Sequence, residues 1–176
     1  MSLNAPLWRD SDHNPVQAGG VVSQVSKTLV GSNATVAVPL FGITGSLNVI
    51  ALYGVVTTDL GANNTAAYWR LNDQTAQVNI TVNTGTTISA VKAGSAIVKK
   101  GLAAAALVLL DNAAGRVSEP TTLETSYFSS FAVMKKTGAA TNIEFVYSTT
   151  DTPTSGVIQF FCCWLPISRD AAVTAQ

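Results

Sequence analysis

Residues 46–58 read SLNVIALYGVVTT and decide the fold class, because they form the clearest β-strand pattern in the sequence. Their β-branched and aromatic residues fit the pleated surface of a strand. Successive side chains of a strand point to opposite faces, and both faces of this strand carry apolar side chains. One face carries Leu47, Val49, Ala51, Tyr53 and Val55, and the other carries Ile50, Leu52 and Val56. We therefore expect a strand that is covered on both faces, with a β-bulge or a close backbone approach at Gly54.

Similar short segments continue on both sides of this strand. Apolar runs are separated by turn residues such as Gly, Asn, Asp and Pro. Strands are predicted at residues 21–30, 34–41, 65–71, 76–82, 86–91, 121–133, 141–149 and 157–167. Pro39 predicts that its strand lies at a sheet edge, because proline cannot donate a ladder hydrogen bond. The apolar run at 101–110 fits a helical turn or a buried strand equally well.

The regular spacing of these segments predicts an all-β protein, an antiparallel β-sandwich of jelly-roll type. No alternation of strands with helices is present, which argues against a Rossmann or TIM-barrel fold. We expect three parts along the chain: an extended N-terminal arm at 1–20, a β-sandwich domain at 21–168 and a C-terminal tail at 169–176.

Composition narrows the function classes. Charged residues make up 11% of the 176 residues, and 10 basic side chains balance 10 acidic ones. A neutral surface attracts nucleic acid and anionic lipid weakly, and no apolar run reaches the roughly 18 residues of a membrane-spanning helix. With His13 as the one histidine, no Ser-His-Asp triad or zinc site can be assembled convincingly. We expect a protein without enzymatic activity, cofactor, metal, nucleic-acid partner or membrane partner.

Two adjacent cysteines, Cys162 and Cys163, lie in the apolar run FFCCWLP. Neighbouring residues of a strand point to opposite faces, so these two thiols are not expected to bond to each other. We expect two free, buried thiols, which are consistent with folding in a reducing cytoplasm. The N-terminal residues show no secretory signal pattern, in agreement with that compartment.

The predicted arm holds the first group of candidate partner-binding residues. It combines charges, two prolines and a Gly-Gly pair with a large aromatic residue, Trp8. Two interpretations stay open: Leu7 and Trp8 pack on their own domain, or they anchor on a neighbouring subunit. The candidate residues of the arm are Leu7, Trp8, Arg9, Asp12 and His13.

A second group of candidates lies in the strands. Most aromatic residues there are expected in the core, but Tyr53, Tyr68 and Trp69 are candidates for an intersubunit face, where aromatic residues are enriched. Tyr68 and Trp69 also lie near Asn63, Asn64 and Asn72 in the sequence. If exposed, this group would suit stacking against sugar rings.

The order of several segments resembles small β-sandwich structural proteins of tailed bacteriophages, above all those that coat capsids as decoration or cement proteins. The segments are NVIALYGVVTTDLGANNTAAYWRLN at 48–72, ITVNTGTTISA at 80–90, LAAAALVLL at 102–110 and TNIEFVYSTTDTPTSGVIQFFCCWLPISRDAAVTA at 141–175. The resemblance is one of pattern and covers about residues 21–175. The chain departs from it in its last strand, where aromatic residues and cysteines replace the usual polar alternation.

The resemblance implies a virion structural protein that is made in the host cytoplasm and located on the capsid surface. Such a subunit stabilises the shell by binding the major capsid protein and neighbouring copies, as a homo-oligomer in which a trimer is favoured. Two other functions stay open: a receptor- or glycan-binding module of a fibre or tail, and a major capsid subunit of jelly-roll type.

Overall fold

The computed structural model describes residues 20–31, 33–83, 86–100, 105–110, 130–135, 138–150 and 155–176, and the backbone of residues 8–9 and 15–16. All of the regular secondary structure in this part of the chain is β-strand. In chain order they are β1 (Trp8–Arg9), β2 (Pro15–Val16), β3 (Val21–Thr28), β4 (Thr35–Thr44), β5 (Ser46–Thr58), β6 (Asn64–Asn72), β7 (Gln77–Asn79), β8 (Ala96–Val98), β9 (Val108–Leu110), β10 (Phe131–Met134), β11 (Thr141–Thr149), β12 (Val157–Pro166) and β13 (Ala172–Ala175).

Two antiparallel sheets pack against each other and form a β-sandwich, which confirms the predicted fold class. The larger sheet has six strands in the order β3-β12-β5-β8-β9, and β10 also pairs with β5. The smaller sheet has five strands in the order β13-β4-β11-β6-β7. Strands β1 and β2 pair with each other as a separate two-stranded sheet.

The strand order within the sandwich is that of a jelly roll. Four antiparallel pairs connect early strands with late ones: β3 with β12, β4 with β11, β5 with β8, and β6 with β7. The pairs alternate between the larger and the smaller sheet. The chain is therefore a long hairpin of four strand pairs that is rolled into two facing sheets.

Aromatic residues fill the centre of the core between the sheets. The ring of Phe145 lies 5.5 Å from Trp69 and 5.0 Å from Phe160, measured between centroids. Tyr147 is fully buried, and its hydroxyl donates to the carbonyl oxygen of Val30 at 2.6 Å and accepts from the Val30 amide at 2.9 Å. Burial raises the pKa of this hydroxyl. Ile143, Phe145 and Tyr147 of β11 are all fully buried.

A β-bulge in β5 changes which residues face the core. Trp164 is paired with Val49 but the preceding Cys163 is paired with Ala51, so Ile50 is an extra residue in the ladder. Alternation shifts by one at this point, and Tyr53 leaves the inward set. The prediction that Leu47, Val49, Ala51, Tyr53 and Val55 share one face is therefore wrong beyond the bulge. Inward positions after it are Leu52, Gly54 and Val56.

Gly54 marks the close approach that its sequence position suggested. A Cβ atom at Gly54 would lie 2.8 Å from Cγ2 of Ile158 and 3.0 Å from Cδ1 of Phe160. The first distance is shorter than real Cβ contacts and the second is tighter than most of them, and both atoms belong to the packed core. The glycine lets β5 lie directly against the inward side chains of β12.

Pro39 lies in the part of β4 that has a described partner strand on one side only. Strand β11 pairs along most of β4, whereas β13 pairs with Phe41–Thr44. The register shifts between Phe41 and Pro39, so Leu40 is an extra residue. The edge position predicted for Pro39 is confirmed for this part of the strand.

Part of the predicted C-terminal tail is a strand, because Ala172–Ala175 form β13. This strand pairs with β4 and lies beside β3 of the other sheet. The Ser23 hydroxyl donates to the carbonyl oxygen of Val173 at 3.1 Å, and Nζ of Lys27 donates to the carbonyl oxygen of Gln176 at 2.7 Å. The end of the chain thus closes one side of the sandwich.

Two strand predictions are corrected in the middle of the chain. In the segment predicted at 76–82, β7 covers Gln77–Asn79 alone, and its Val78 is 59% exposed. Residues 86–91 were predicted as a strand, but in this described stretch Thr86 makes a single bridge to Ala67. Residues 101–104 and 121–129 of two further predictions lie outside the described residues.

Candidate interaction surface

The outward side of the larger sheet is apolar and aromatic. After the bulge at Ile50, the outward positions of β5 include Tyr53 and Val55, and alternation in β12 turns Phe161 and Cys163 outward. Tyr53 and Phe161 are directly paired across β5 and β12. Their rings stack with centroids 4.9 Å apart and an angle of 13° between their planes. We call the surface formed by Val22, Tyr53, Val55, Phe161 and Cys163 the aromatic face.

Cross-strand pairing makes this face continuous across three strands. A single row runs through Gln24, Phe161 and Tyr53, each residue being paired with the next. The next residue of the row, Val98 of β8, is 2% exposed and is therefore buried. Val22 extends the surface at the sheet edge, where it is paired with Cys163 and is 55% exposed. Directly paired side chains of this kind support each other's packing.

The aromatic face carries no charge. In the described strands of the larger sheet, Lys27 is the one charged residue, and its side chain reaches Gln176 rather than the aromatic face. Burial and the neighbouring Cys163 raise the pKa of Tyr53, so its hydroxyl stays neutral at physiological pH. A partner that covers this face removes no ionic group of these strands from water, which keeps the desolvation cost low.

The two cysteines are separated by the sheet, as expected from their adjacent positions. Cys162 points into the core and is fully buried, whereas Cys163 is half-buried on the aromatic face. Burial raises the pKa of Cys162 to about 12 and also raises that of Cys163. Both thiols are free. The prediction of two buried thiols is therefore correct for Cys162 and only partly correct for Cys163.

The outward side of the smaller sheet is polar by comparison. Its described strands hold two charged residues, Arg70 and Glu144, which are directly paired between β6 and β11. Nε of Arg70 donates to Glu144 at 2.7 Å, and the side-chain amide of Asn72 donates to the other carboxylate oxygen at 2.9 Å. Nη1 of Arg70 donates to Gln77 at 2.7 Å. The two outer faces of the sandwich therefore differ in chemistry.

A small cavity of about 210 Å³ lies between the sheets, with Leu71, Ile80, Phe131 and Lys99 among its lining residues. Lys99 is 3% exposed, and its Nζ lies 5.0 Å from the centroid of the Phe131 ring. This cation–π contact offsets part of the cost of burying an ammonium group. Burial lowers the pKa of Lys99.

Other site types were sought in the same part of the chain. Among the described residues, no three His, Cys, Asp or Glu side chains are grouped so that they could hold a metal ion. The described residues also contain no helix long and apolar enough to cross a membrane.

The structure separates the three residues predicted for an intersubunit face. Tyr53 lies on the aromatic face, and Tyr68 lies half-buried on the outer face of the smaller sheet, paired with Val146. Trp69 is fully buried in the core, so its prediction as a surface residue is wrong. Asn64 is also fully buried. The group suggested for sugar stacking is therefore not assembled as one surface.

The residues predicted for the arm are described only in part. Trp8 and Arg9 form β1, which pairs with Pro15 and Val16 of β2. Leu7, Asp12 and His13 lie outside the described residues. The two interpretations of the arm therefore both stay predictions.

Sequence reasoning missed Phe161 and Cys163 as surface residues, because the apolar composition of 157–167 suggested burial on both sides. The available signal was alternation: Phe160 and Cys162 occupy one face, so Phe161 and Cys163 must occupy the other. It also missed the Arg70–Glu144 pair, which joins positions distant in sequence and carries no local motif.

Comparison with known proteins adds no relative to this picture: no family model matches the chain, and neither a curated protein nor a solved structure matches it.

Proposed function

We propose that this protein is a non-enzymatic virion structural protein, a capsid decoration or cement subunit on the capsid surface. In this role it binds the major capsid protein and neighbouring copies and thereby stabilises the shell. The proposal also includes synthesis in the host cytoplasm and assembly as a homo-oligomer, with a trimer favoured.

The observation that carries the proposal is the uncharged aromatic face on a jelly-roll body. Jelly rolls are a recurrent architecture of viral capsid and lectin domains. The described strands of the two packed sheets contain three charged residues, and two of them, Arg70 and Glu144, pair with each other. A rigid body with one neutral face suits permanent contact with another protein surface. We assign the contact with the shell to the aromatic face.

The proposal is tested by sedimentation of the purified protein with empty shells. We expect co-sedimentation at a fixed ratio of protein to shell subunit. Phe161→Lys and Val55→Lys place a charge on the aromatic face and should weaken binding by about tenfold or more, since a buried unpaired charge is costly. Ala37→Lys is the matched control, because Ala37 is exposed on the outer face of the smaller sheet.

The melting temperature of each variant shows that it is folded before its binding is measured. If the wild-type protein stays in the supernatant at every concentration, the decoration role is wrong. If Ala37→Lys weakens binding as strongly as the two face variants, the aromatic face is not the contact surface.

A second candidate, a jelly-roll major capsid subunit, is favoured by the strand order itself. Such a subunit would assemble into closed shells without another protein. Electron microscopy of the concentrated, purified protein distinguishes the two functions, because a decoration subunit forms no closed particle alone.

A further inference from the structure

The edges of the two sheets differ in how they are protected against pairing with another chain. An exposed edge strand presents unpaired N–H and C=O groups, and proteins usually shorten such strands or interrupt them with proline, charge or a bulge. In the described part of the chain, β7, β9, β10 and β13 are each four residues or fewer. The open part of β4 contains Pro39 and the bulge at Leu40.

Strand β3 is not short and has neither a proline nor a bulge, although β13 of the other sheet lies beside it. It has eight residues, ends its sheet among the described strands, and pairs with β12 without a register shift. It contains no proline, and its one charged residue, Lys27, reaches the carbonyl oxygen of Gln176. Its outward residues are all exposed: Val22, Gln24, Ser26 and Thr28.

We propose that the edge of β3 that pairs with no described strand is an interaction surface for a second copy of this chain, whose β3 pairs with it antiparallel across a two-fold axis. The two larger sheets then form one continuous sheet. This contact goes beyond the proposed function, because it is two-fold and needs no shell.

The residue pattern of β3 supports a second copy as the partner. Opposed residues in an antiparallel pair point to the same face, so a continuous sheet requires even-numbered residues to oppose even-numbered ones. The two registers with the greatest overlap are centred on Gln24 or on Val25. Gln24 then faces Gln24 or Ser26 of the other copy. Neither register opposes two charges, so no charge repulsion hinders the pairing of β3 with its own copy.

The experiment uses the full-length protein in solution and measures its mass by sedimentation equilibrium. Gln24→Lys combined with Ser26→Lys places like charges opposite each other in either register. We expect dimer affinity to fall by about tenfold or more. The same positions changed to Glu should have the same effect, and an equimolar mixture of the Lys and Glu proteins should recover the dimer as a heterodimer.

Gln159→Lys is the matched control, because Gln159 is paired with Ser26 on the neighbouring strand β12 rather than lying on the edge strand. It should leave the dimer intact. Amide hydrogen exchange gives a second readout: protection of β3 amides should rise with protein concentration in the wild type and not in the Lys variant.

The inference is overturned if the wild-type protein is still monomeric at a concentration about 100 times a micromolar dissociation constant. It is equally overturned if the Lys variant associates like the wild type, or if the Lys and Glu proteins fail to combine. Neither result changes the co-sedimentation with shells, so failure here is distinguishable from failure of the decoration role.

Discussion

Individual charged residues matter here because the sheets contain so few. Glu144 is 5% exposed, and both of its carboxylate oxygens accept hydrogen bonds from the neighbouring strand β6. Such an ion pair adds little to the free energy of unfolding compared with two apolar residues. Loss of one partner, however, leaves an unpaired charge in a poorly hydrated position. The pair is thus a sensitive point of the smaller sheet.

We expect Arg70→Met to lower the free energy of unfolding by about 3–5 kcal/mol, since it leaves the Glu144 carboxylate without its cation. Urea unfolding followed by tryptophan fluorescence measures the change. The matched control is Lys92→Met, which breaks the exposed pair with Asp59 at 2.8 Å and should change stability little. Equal losses for the two variants would contradict a special role of burial. Addition of Glu144→Met to Arg70→Met should restore much of the loss.

The two cysteines provide a test of the assignment of faces. The thiolate is the reactive form, so a raised pKa and burial both slow alkylation. Cys162, with a pKa raised to about 12 and no exposed surface, should resist iodoacetamide in the folded protein. Cys163 should react first, at a rate that rises with pH. Peptide mass spectrometry identifies the modified residue, and preferential labelling of Cys162 would reverse the assignment of the two faces of β12.

At the scale of elements, the sequence predicted the bounds of the long strands well, but it predicted poorly which residues of β5 face the core. The bounds of β5 and β11 agree with the prediction, because long alternating runs leave few other structures open. The bulge at Ile50 has no signal of its own in the sequence, since both registers bury apolar side chains. Whether Tyr53 or Leu52 faces the core depends on the pairing with β12, which is a long-range contact.

Prediction of the candidate site from sequence is limited in the same way, by contacts between residues far apart in the chain. Tyr53 lies half-buried on an outer face, whereas Trp69 lies in the core, because the inward face of β6 is set by the position of the larger sheet rather than by local pattern. Strand β13 was missed altogether. Four residues rich in alanine give no periodic signal, and the strand is held by contacts with Ser23 and Lys27 far away in the sequence.

Truncation after Ala171 tests the contribution of β13. It removes the pairing with Phe41–Thr44 and the two hydrogen bonds to β3. At about 1 kcal/mol for each hydrogen bond lost, we expect the free energy of unfolding to fall by about 2–4 kcal/mol. Chemical denaturation measures this, and Gln176→Ala, which keeps the strand, is the control. An unchanged unfolding midpoint would show that β13 adds no stability.

At the scale of the whole molecule, the jelly roll joins two outer faces of different chemistry. The polar side chains of the smaller sheet bond to one another, whereas the larger sheet carries a stacked aromatic pair on its outer face. Under the proposed function, the neutral side would contact the partner and the polar side would face water. Strands β1 and β2 pair with each other and form no described pairing with either sheet.

Deletion of residues 1–16 therefore separates the two interpretations of the arm. If the arm binds a neighbour, a chain that begins at Gln17 should melt within about 2 °C of the full-length protein, because the sandwich keeps all of its described pairings. Its affinity for shells should fall by about tenfold, since anchors such as Trp8 are gone. Calorimetry and co-sedimentation of the same preparation measure both effects. A drop in melting temperature above about 5 °C with unchanged shell affinity would instead make the arm part of its own domain's packing.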